Sequence, residues 1–459
     1  MTLPDTIVAV ASAAGRGAVG VIRVSGPRVP QIAVDILGGL PAPRRARFSS
    51  FLDAQGGSVD QGLALYFPAP ASYTGEHVLE LQGHGGALVV DMVLKRLLEL
   101  GCRMARPGEF SERAFLNGKI DIAQAEAIAD LIDAGTTAAA RAAVRSLQGE
   151  FSARVDDLKT RITELRAYVE AAIDFPDEEI DFLSDEALGE RLAAVFAAFE
   201  SITAAARQGA LLREGLNVVI AGKPNAGKSS LLNRLAGDDV AIVTDVPGTT
   251  RDVLRQQVHL DGLPLNLADT AGLRAVADVV EAEGVRRARS EIARADRVLY
   301  VVDAGLADKD HDEDAAQNPA PWAAELEQLP AGIPVTLVFN KIDLIGAPAR
   351  LDETAHPPRV FLSARTGSGL ELLRSHLKVS AGYRELDSGA FAARRRHLDA
   401  LSRARQHVQS AADILSSTRA FELFADDLRL AQHALGEITG EFTSEDLLGE
   451  IFGSFCIGK

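Results

Sequence analysis

The chain has 459 residues and a formal net charge of −16 at pH 7, with 64 acidic and 48 basic residues. At roughly 100–200 residues per domain, this length predicts about three domains. The two cysteines, Cys102 and Cys456, argue against a disulfide framework. The N-terminus lacks a basic and apolar signal region, and no apolar run approaches the roughly 20 residues of a membrane span. We therefore expect a cytoplasmic protein without membrane contact, and a surface that mostly repels polyanions.

The N-terminal part, residues 1–118, mixes short apolar segments with turns marked by glycine and proline, and we interpret it as an α+β domain. Cys102 is predicted to be a core residue of this domain. Strands are predicted at 6–10, 20–24, 62–66 and 78–82, and a helix is predicted at 87–100.

Two segments rich in alanine, leucine and charged residues, 119–210 and 381–459, predict helices on either side of a central domain, 211–380. Neither segment contains an evident packing partner of its own, so we expect them to form one helical bundle into which the central domain is inserted. Apolar residues recur every three or four positions: Phe151, Val155, Leu158, Ile162, Leu165 and Val169 in the first segment, and Leu398, Leu401, Val408, Ile414, Phe421, Phe424, Leu428 and Leu435 in the second. The motif Asp174-Phe175-Pro176 is predicted to end or bend the first of these helices.

The central domain contains the phosphate-binding pattern G-x-x-x-x-G-K-[ST] at 222–229, between a predicted strand at 216–221 and a helix that opens near Ser230. Backbone N–H groups of such a loop surround phosphate oxygens at the positive end of the helix. Lys228 is expected to reach the β- and γ-phosphates, and the Ser229 hydroxyl is expected to bind Mg²⁺.

Three further motifs, each behind a predicted strand, indicate that the nucleotide is GTP. The motif at 269–272 follows a strand at 263–268. Its Asp would hold a water of the Mg²⁺ shell, and its Gly would direct its N–H at the γ-phosphate. The motif at 340–343 follows a strand at 335–339, and the Asp343 carboxylate would accept hydrogen bonds from the N1–H and 2-amino groups of guanine. The motif at 363–365 follows a strand at 360–362 and completes the base pocket, while the segment 244–252 is the candidate switch I. The predicted GTP-binding residues are Asn225, Ala226, Gly227, Lys228, Ser229, Ser230, Thr244, Asp245, Val246, Pro247, Gly248, Thr249, Thr250, Asp269, Thr270, Ala271, Gly272, Asn340, Lys341, Asp343, Ser363, Ala364 and Arg365.

The hydrolytic machinery departs from that of Ras, in which a Gln after D-x-x-G orients the attacking water. The corresponding residue here is Leu273, and no evident arginine finger replaces it. Thr250 is expected to give Mg²⁺ a second hydroxyl. The segment 304–333, which contains the single Trp322, is interpreted as a surface elaboration without assigned function.

Over its whole length the chain resembles the MnmE/TrmE family of tRNA-modifying GTPases. Besides the GTPase motifs, the resemblance rests on Tyr73-Thr74-Gly75-Glu76, on Leu79 to Gly86, on Ala105 to Lys119, and on the tail Phe455-Cys456-Ile457-Gly458-Lys459. It implies an N-terminal dimerisation and folate-type domain, a helical bundle built from two segments, and a Ras-like P-loop GTPase domain inserted in that bundle.

By this resemblance K⁺ would take the place of an arginine finger, with Asn225, Thr244, Val246 and Thr249 as ligands. Glu281 matches the family's acidic residue that orients the attacking water through a bridge. The alternative for Glu281 is a solvated helix charge.

The resemblance also implies that a 5-formyl- or methylene-tetrahydrofolate binds near Arg23, Glu80, Lys119 and Lys459. Cys456 would be a nucleophile beside this site. The alternatives for Cys456 are a small buried apolar residue and a lipidation box, which the last residues fit poorly.

The function implied is a potassium-activated GTPase, dimeric through the N-terminal domain. By the resemblance it would form a heterotetramer with a flavoprotein of the MnmG/GidA type, which would carry FAD. Together they would add an aminomethyl or carboxymethylaminomethyl group at C5 of the wobble uridine of tRNA. Because the chain is acidic, either a local basic patch or a partner must provide the tRNA contacts, and we expect the flavoprotein to make most of them. A ribosome-assembly GTPase and a non-catalytic GTP-dependent scaffold are the alternatives.

Overall fold

The structure is a computed structural model that describes residues 5–13, 15–174, 185–237, 255–269, 295–307, 326, 332–383, 389–417, 420–442, 445–455 and 458. The chain divides into two compact units. The first unit comprises Met1–Ile132, Val144–Ile202 and Arg396–Lys459, and the second comprises Asp133–Ala143 and Thr203–Arg395. The domain boundaries given by the sequence stay a prediction. None of the described helices is both long and apolar enough to cross a membrane.

A six-stranded sheet with the order β3-β4-β5-β2-β1-β6 forms the N-terminal part of the first unit. Its strands are β1 Ile7–Val10, β2 Val19–Ser25, β3 Arg47–Leu52, β4 Ser58–Phe67, β5 Val78–His84 and β6 Arg103–Met104. Helices Val29–Leu37 and Ala87–Glu99 cover one face, where Ile22, Phe51 and Leu81 belong to the buried core. On the other face Ile7 and Ala9 pack with Phe110 of helix Glu109–Leu116. The predicted α+β domain is therefore confirmed, but strands β3 and β6 and helices Val29–Leu37 and Glu109–Leu116 were not predicted.

The remaining helices of the first unit include three on which the predicted apolar positions lie, Glu150–Asp174, Arg395–Ser417 and Phe421–Thr439. All six positions of the first stripe are at most 1% exposed in helix Glu150–Asp174. Of the second stripe, Leu401, Val408, Phe424, Leu428 and Leu435 are fully buried, while Leu398, Ile414 and Phe421 are only partly buried. Besides those of the N-terminal domain, the described helices that lie wholly or partly in the first unit are Ile122–Ile132, Thr137–Leu147, Glu150–Asp174, Asp185–Glu214, Arg395–Ser417, Phe421–Thr439 and Glu445–Gly453.

The two helical segments pack together, as the sequence predicts. Helix Phe421–Thr439 lies against helix Glu150–Asp174, and between them Arg166 Nη1 donates to Gln432 Oε1 at 2.6 Å. The first helix is described as far as Asp174, and the predicted helix end at Asp174-Phe175-Pro176 otherwise lies outside the described residues.

A seven-stranded sheet with the order β12-β13-β11-β10-β7-β9-β8 forms the centre of the second unit. Its strands are β7 Leu216–Gly222, β8 Arg255–Leu260, β9 Leu263–Asp269, β10 Arg297–Asp303, β11 Val335–Asn340, β12 Arg350–Asp352 and β13 Arg359–Phe361. Lys228–Ala236, Ala304–Ala307 and Leu370–Ser380 are α-helices, and Ile342–Leu344 is a 3₁₀ helix.

The five central strands of this sheet, from β13 to β9, are parallel, whereas β8 and β12 are antiparallel edge strands. Parallel strands buried on both faces have continuous apolar sequences, which explains why β7, β9 and β11 were predicted. Their carboxyl ends lie at one edge, where ligands bind in open α/β sheets. The multidomain fold class is confirmed. Helix Ala304–Ala307 opens the predicted elaboration, of which residues 308–325 and 327–331 lie outside the described residues.

Candidate functional site

The phosphate-binding loop joins the end of β7 to helix Lys228–Ala236. Gly222 has a φ of 138° and Gly227 a φ of 94°, conformations in which a side chain is strained. A Cβ at Gly222 would overlap the carbonyl oxygen of Val301, and a Cβ at Gly227 would overlap the side-chain amide of Asn340. Both glycines of the pattern are therefore required by the backbone and by its neighbours.

Lys228 folds back over the loop that precedes it. Its ammonium group donates to the carbonyl oxygens of Gly222 and Lys223, each at 2.8 Å, and the residue is 8% exposed. These bonds hold a positive charge at the N-terminus of the helix, where the backbone dipoles also favour an anion. The neighbouring Ser229 and Ser230 are exposed, so the Ser229 hydroxyl is accessible to a cation of the nucleotide.

Asn340, at the end of β11, connects three of the predicted motifs. Its Nδ2 donates to the carbonyl oxygen of Ala226 at 3.0 Å, and its Oδ1 accepts from the N–H groups of Lys341 at 2.8 Å and Ala364 at 2.9 Å. The side chain is 2% exposed, so these bonds are shielded from water. Asn340 is therefore a positioning residue that fixes the base-binding segments against the phosphate-binding loop.

Asp343 lies on the surface next to this buried centre. The hydroxyl of Ser363 donates to Asp343 Oδ1 at 2.7 Å and so orients the carboxylate. Each carboxylate oxygen has two lone pairs, so Asp343 keeps the capacity to accept from guanine. Arg365 is exposed.

Asp303 is a residue of this site that the sequence did not reveal. It ends β10, its Oδ2 receives a hydrogen bond from Lys341 Nζ at 2.7 Å, and its Oδ1 receives one from the N–H of Gly305 at 3.0 Å. Lys341 has a φ of 68°, so this ion pair supports a left-handed backbone conformation in the base-binding motif. The available sequence signal was the position of an acidic residue directly after an apolar run, Val298 to Val302.

Several predicted site residues lie outside the described residues. They are Thr244 to Thr250, Thr270 to Gly272, Glu281, Cys456 and Lys459, and for Asp269 only the backbone at the end of β9 is described. Asn225 has a φ of 63° and an exposed side chain within the phosphate-binding loop. A side-chain amide is a suitable oxygen donor for a hard cation.

A second polar site lies in the N-terminal sheet. Arg23 of β2 and Glu80 of β5 are paired by the strand register, and Arg23 Nη2 lies 2.9 Å from Glu80 Oε1. The guanidinium group lies over the rings of Tyr73, at 5.5 Å, and Phe110, at 5.9 Å, and its Nη1 is 3.5 Å from the carbonyl oxygen of Gly458. The structure thus brings two of the predicted folate-binding residues together with the C-terminal tail.

Lys119 lies beside the turn that contains Tyr73. A Cβ at Gly75 of this turn would be 3.4 Å from the Lys119 Cγ, and Lys119 itself is exposed. Tyr73 donates to or accepts from the Ser111 hydroxyl at 2.8 Å, and burial raises the pKa of its phenol. Tyr73 was noticed in the sequence only as part of a motif, without a role.

A buried ionic cluster fixes this turn to helix Glu109–Leu116. Arg113 is 1% exposed and binds Glu76 Oε2 at 3.1 Å, Glu109 Oε1 at 3.0 Å and Asp5 Oδ1 at 2.8 Å. Burial alone would raise the pKa of Glu109, but hydrogen bonds from Arg103 and Arg113 hold it below its ordinary value. Cys102 is 7% exposed and burial raises its pKa to about 12, which confirms its prediction as a core residue.

The sequence matches two family models. Residues 6–119 match the N-terminus of the GTP-binding protein TrmE, and residues 122–456 match the MnmE helical domain. The chain is 57% identical over 460 residues to the tRNA modification GTPase MnmE of Yersinia pseudotuberculosis serotype IB (strain PB1/+), a match that covers 100% of both chains. It is 55% identical over 456 residues to the tRNA modification GTPase MnmE of Proteus mirabilis (strain HI4320), with 99% of each chain covered.

Among solved structures, the G domain of the FeoB iron transporter of T. maritima is 27% identical, with 36% of this chain and 98% of that chain covered and a TM-score of 0.25. A TM-score this low adds nothing to the assignment from the sequence. The family models together extend from residue 6 to residue 456, and the relatives align over their full length. The chain belongs to the MnmE family of tRNA modification GTPases.

Proposed function

We propose that this GTPase of tRNA modification is activated by K⁺ and works with a flavoprotein of the MnmG/GidA type. The pair adds an aminomethyl or carboxymethylaminomethyl group to C5 of the wobble uridine, using the one-carbon unit of a tetrahydrofolate. The observation that carries the GTPase part is Asn340, because its three buried hydrogen bonds join the phosphate-binding loop to both base-binding motifs.

The residues of the phosphate-binding loop support the binding of a triphosphate with Mg²⁺. Lys228 and the helix N-terminus provide positive charge for the phosphates, and the Ser229 hydroxyl is an accessible ligand for Mg²⁺. Thr250 would provide the second protein hydroxyl. Asp343, oriented by Ser363, accepts from guanine and so selects GTP over ATP.

Potassium activation is supported by the chemistry of the loop. Leu273 is apolar and cannot orient water, so hydrolysis needs other groups. The exposed Asn225 offers an amide oxygen, and the backbone carbonyls of Thr244 and Val246 with Thr249 would complete the set. Bound there, K⁺ would supply positive charge between the β- and γ-phosphates, the position that an arginine finger takes in other GTPases. Glu281 would hold the attacking water through a bridge.

A folate site in the N-terminal domain is supported by the paired Arg23 and Glu80 and by the nearby aromatic rings of Tyr73 and Phe110. Glu80 can accept from the amino and ring N–H groups of a pterin, and Arg23 and Lys119 suit its polar or anionic parts. Lys459 and Cys456 of the tail would lie nearby, since Gly458 contacts Arg23. The protein would dimerise through this domain and join the flavoprotein, which binds FAD, in a heterotetramer.

The experiment that tests the proposal is GTP turnover by the purified protein in KCl and in NaCl at equal ionic strength. We expect K⁺ to raise the rate of GTP hydrolysis about tenfold or more. This is a small part of the roughly 10³–10⁵-fold rate increase that an arginine finger gives other GTPases. The matched variant is Asn225→Gly, which tolerates the left-handed backbone and removes only the amide. It should bind GDP normally and lose the difference between the salts. Equal rates of the wild-type protein in both salts would refute potassium activation.

A further inference from the structure

A basic segment interrupts the acidic composition of the chain. Between Ile36 and Leu52 the sequence contains three arginines and no aspartate or glutamate, although the whole chain has 64 acidic and only 48 basic residues. We call Arg44, Arg45, Arg47 and Phe48 the basic strip. None of these residues takes part in the nucleotide site or in the predicted folate site.

The basic strip lies on the surface at the edge of the N-terminal sheet. Residues 42–48 are all exposed, and β3, which begins at Arg47, pairs only with β4 on its inner side. Phe48 is 70% exposed, and Leu63, its partner in the register, is 40% exposed. Phe48 and Leu63 therefore form a small exposed apolar patch beside the three arginines.

Two of the three arginines of the basic strip, Arg44 and Arg47, are held in place without being neutralised. Arg47 Nη1 donates to the carbonyl oxygen of Gly39 at 3.1 Å, and Arg44 Nη2 donates to that of Ala71 at 2.5 Å. Within the part of the chain that the structure describes, no carboxylate oxygen lies within 4.0 Å of the Arg44, Arg45 or Arg47 guanidinium groups. Carbonyl oxygens orient a guanidinium group but leave its positive charge available to an anion.

We propose that the basic strip is a contact site for tRNA on this chain. The arginines bind phosphate groups, and the Phe48 ring stacks on an unpaired base. Exposed aromatic rings between basic side chains are how proteins bind single-stranded segments of RNA, since every base has a face that can stack. Aromatic rings and arginines also occur together at protein–protein interfaces, so the test below separates tRNA from a protein partner. The inference rests on the proposed role in tRNA modification, and it adds a contact to those that the flavoprotein makes.

The test measures the affinity of the full-length protein for a fluorescently labelled tRNA transcript with uridine at the wobble position, at several KCl concentrations. The first variant is Arg45→Glu with Arg47→Glu. Its matched control is Arg161→Glu with Arg429→Glu, which changes the net charge equally at two exposed helix positions of the same unit. The second variant is Phe48→Ala, which leaves every charge in place. GTP turnover without tRNA is the check on folding, and it should not change in any of these variants.

The slope of log association constant against log salt concentration is negative. We expect the Arg45 and Arg47 variant to make it less steep by about 1.4–1.8, since each lost phosphate contact contributes about 0.7–0.9. The control variant should leave this slope unchanged. Phe48→Ala should weaken binding about tenfold, within the range for one stacked base.

If the wild-type protein binds the tRNA and all variants bind it equally, the basic strip is not the site. If only flavoprotein binding or self-association is lost, the strip serves a protein partner and the proposal is wrong. Failure of the wild-type protein to bind tRNA would refute this inference alone, because potassium activation is measured separately.

Discussion

Replacement of Asn340 by alanine tests whether one buried amide fixes the geometry of the nucleotide site. The variant removes hydrogen bonds to Ala226, Lys341 and Ala364, which measure 2.8–3.0 Å in the native protein. A buried hydrogen bond contributes about 0.5–1.5 kcal/mol, so the three together are worth about 3 kcal/mol. If the bonds act mainly by holding the site in its binding geometry, this energy corresponds to a roughly 100-fold loss of GDP and GTP affinity.

The assay is a fluorescence titration with a labelled GDP, in parallel with urea-induced unfolding. The matched control is Asn266→Ala on β9 of the same unit, where the amide Nδ2 donates to Glu214 O at 2.8 Å and to Asn217 Oδ1 at 3.2 Å. We expect the control to lower the free energy of unfolding and to leave nucleotide affinity near the wild-type value. An Asn340→Ala protein that is folded and binds GDP within twofold of the wild type would refute the reasoning.

Two further changes have expected results. Asp343→Ala should weaken GTP binding by about 3 kcal/mol or more, because two hydrogen bonds to a charged acceptor are lost at about 1.5–3 kcal/mol each. ATP binding should change little, so an unchanged ratio of GTP to ATP affinity would contradict the assigned role. Glu126→Gln should destabilise the protein by about 3–5 kcal/mol at pH 7, since it leaves the partly buried Arg396 and the buried His397 without their anion. Burial opposes the charged form, but His397 and Arg396 hold the pKa of Glu126 well below its ordinary value. The stabilisation by the Glu126 carboxylate is therefore complete above about pH 4.3, the ordinary pKa of a glutamate in an unfolded chain. It is lost as the pH falls toward the lower pKa that Glu126 has in the folded protein. The difference in urea midpoint between the variant and the wild type should shrink below about pH 4, and a difference that is constant with pH would exclude this explanation.

The sequence predicted best those elements whose environment is uniform along the chain. Strands β7, β9 and β11 are buried on both faces and are therefore mostly apolar, and helix Glu150–Asp174 has a regular apolar stripe. Strand β3 was missed because Ser49, a polar residue, is buried in it while Phe48 is exposed, which reverses the expected pattern. Strand β8 was missed because its first residues, Arg255 to Gln257, are polar.

The nucleotide-binding residues were predictable as separate motifs, but their connections were not. Strands β7, β10 and β11 are parallel neighbours, so their carboxyl ends lie at one edge of the sheet. This arrangement brings Asn340, at the end of β11, to Ala226 in the loop that follows β7. Spacing along the chain does not contain this strand order. For the same reason the ion pair of Asp303 with Lys341 was missed, since Asp303 ends β10 and Lys341 directly follows β11, the neighbouring parallel strand.

The packing of helix Phe421–Thr439 on helix Glu150–Asp174 has a consequence for protein synthesis. The ribosome makes the apolar stripe of the first helix long before Phe424, Leu428 and Leu435 of its partner exist. At about 5–20 residues per second, the roughly 250 intervening residues take about 12–50 s. During this interval the stripe lacks the surface that buries it in the finished protein, whereas the seven-stranded sheet of the second unit is completed from the intervening chain. The nucleotide-binding unit can therefore fold before the helical unit that surrounds it in the sequence.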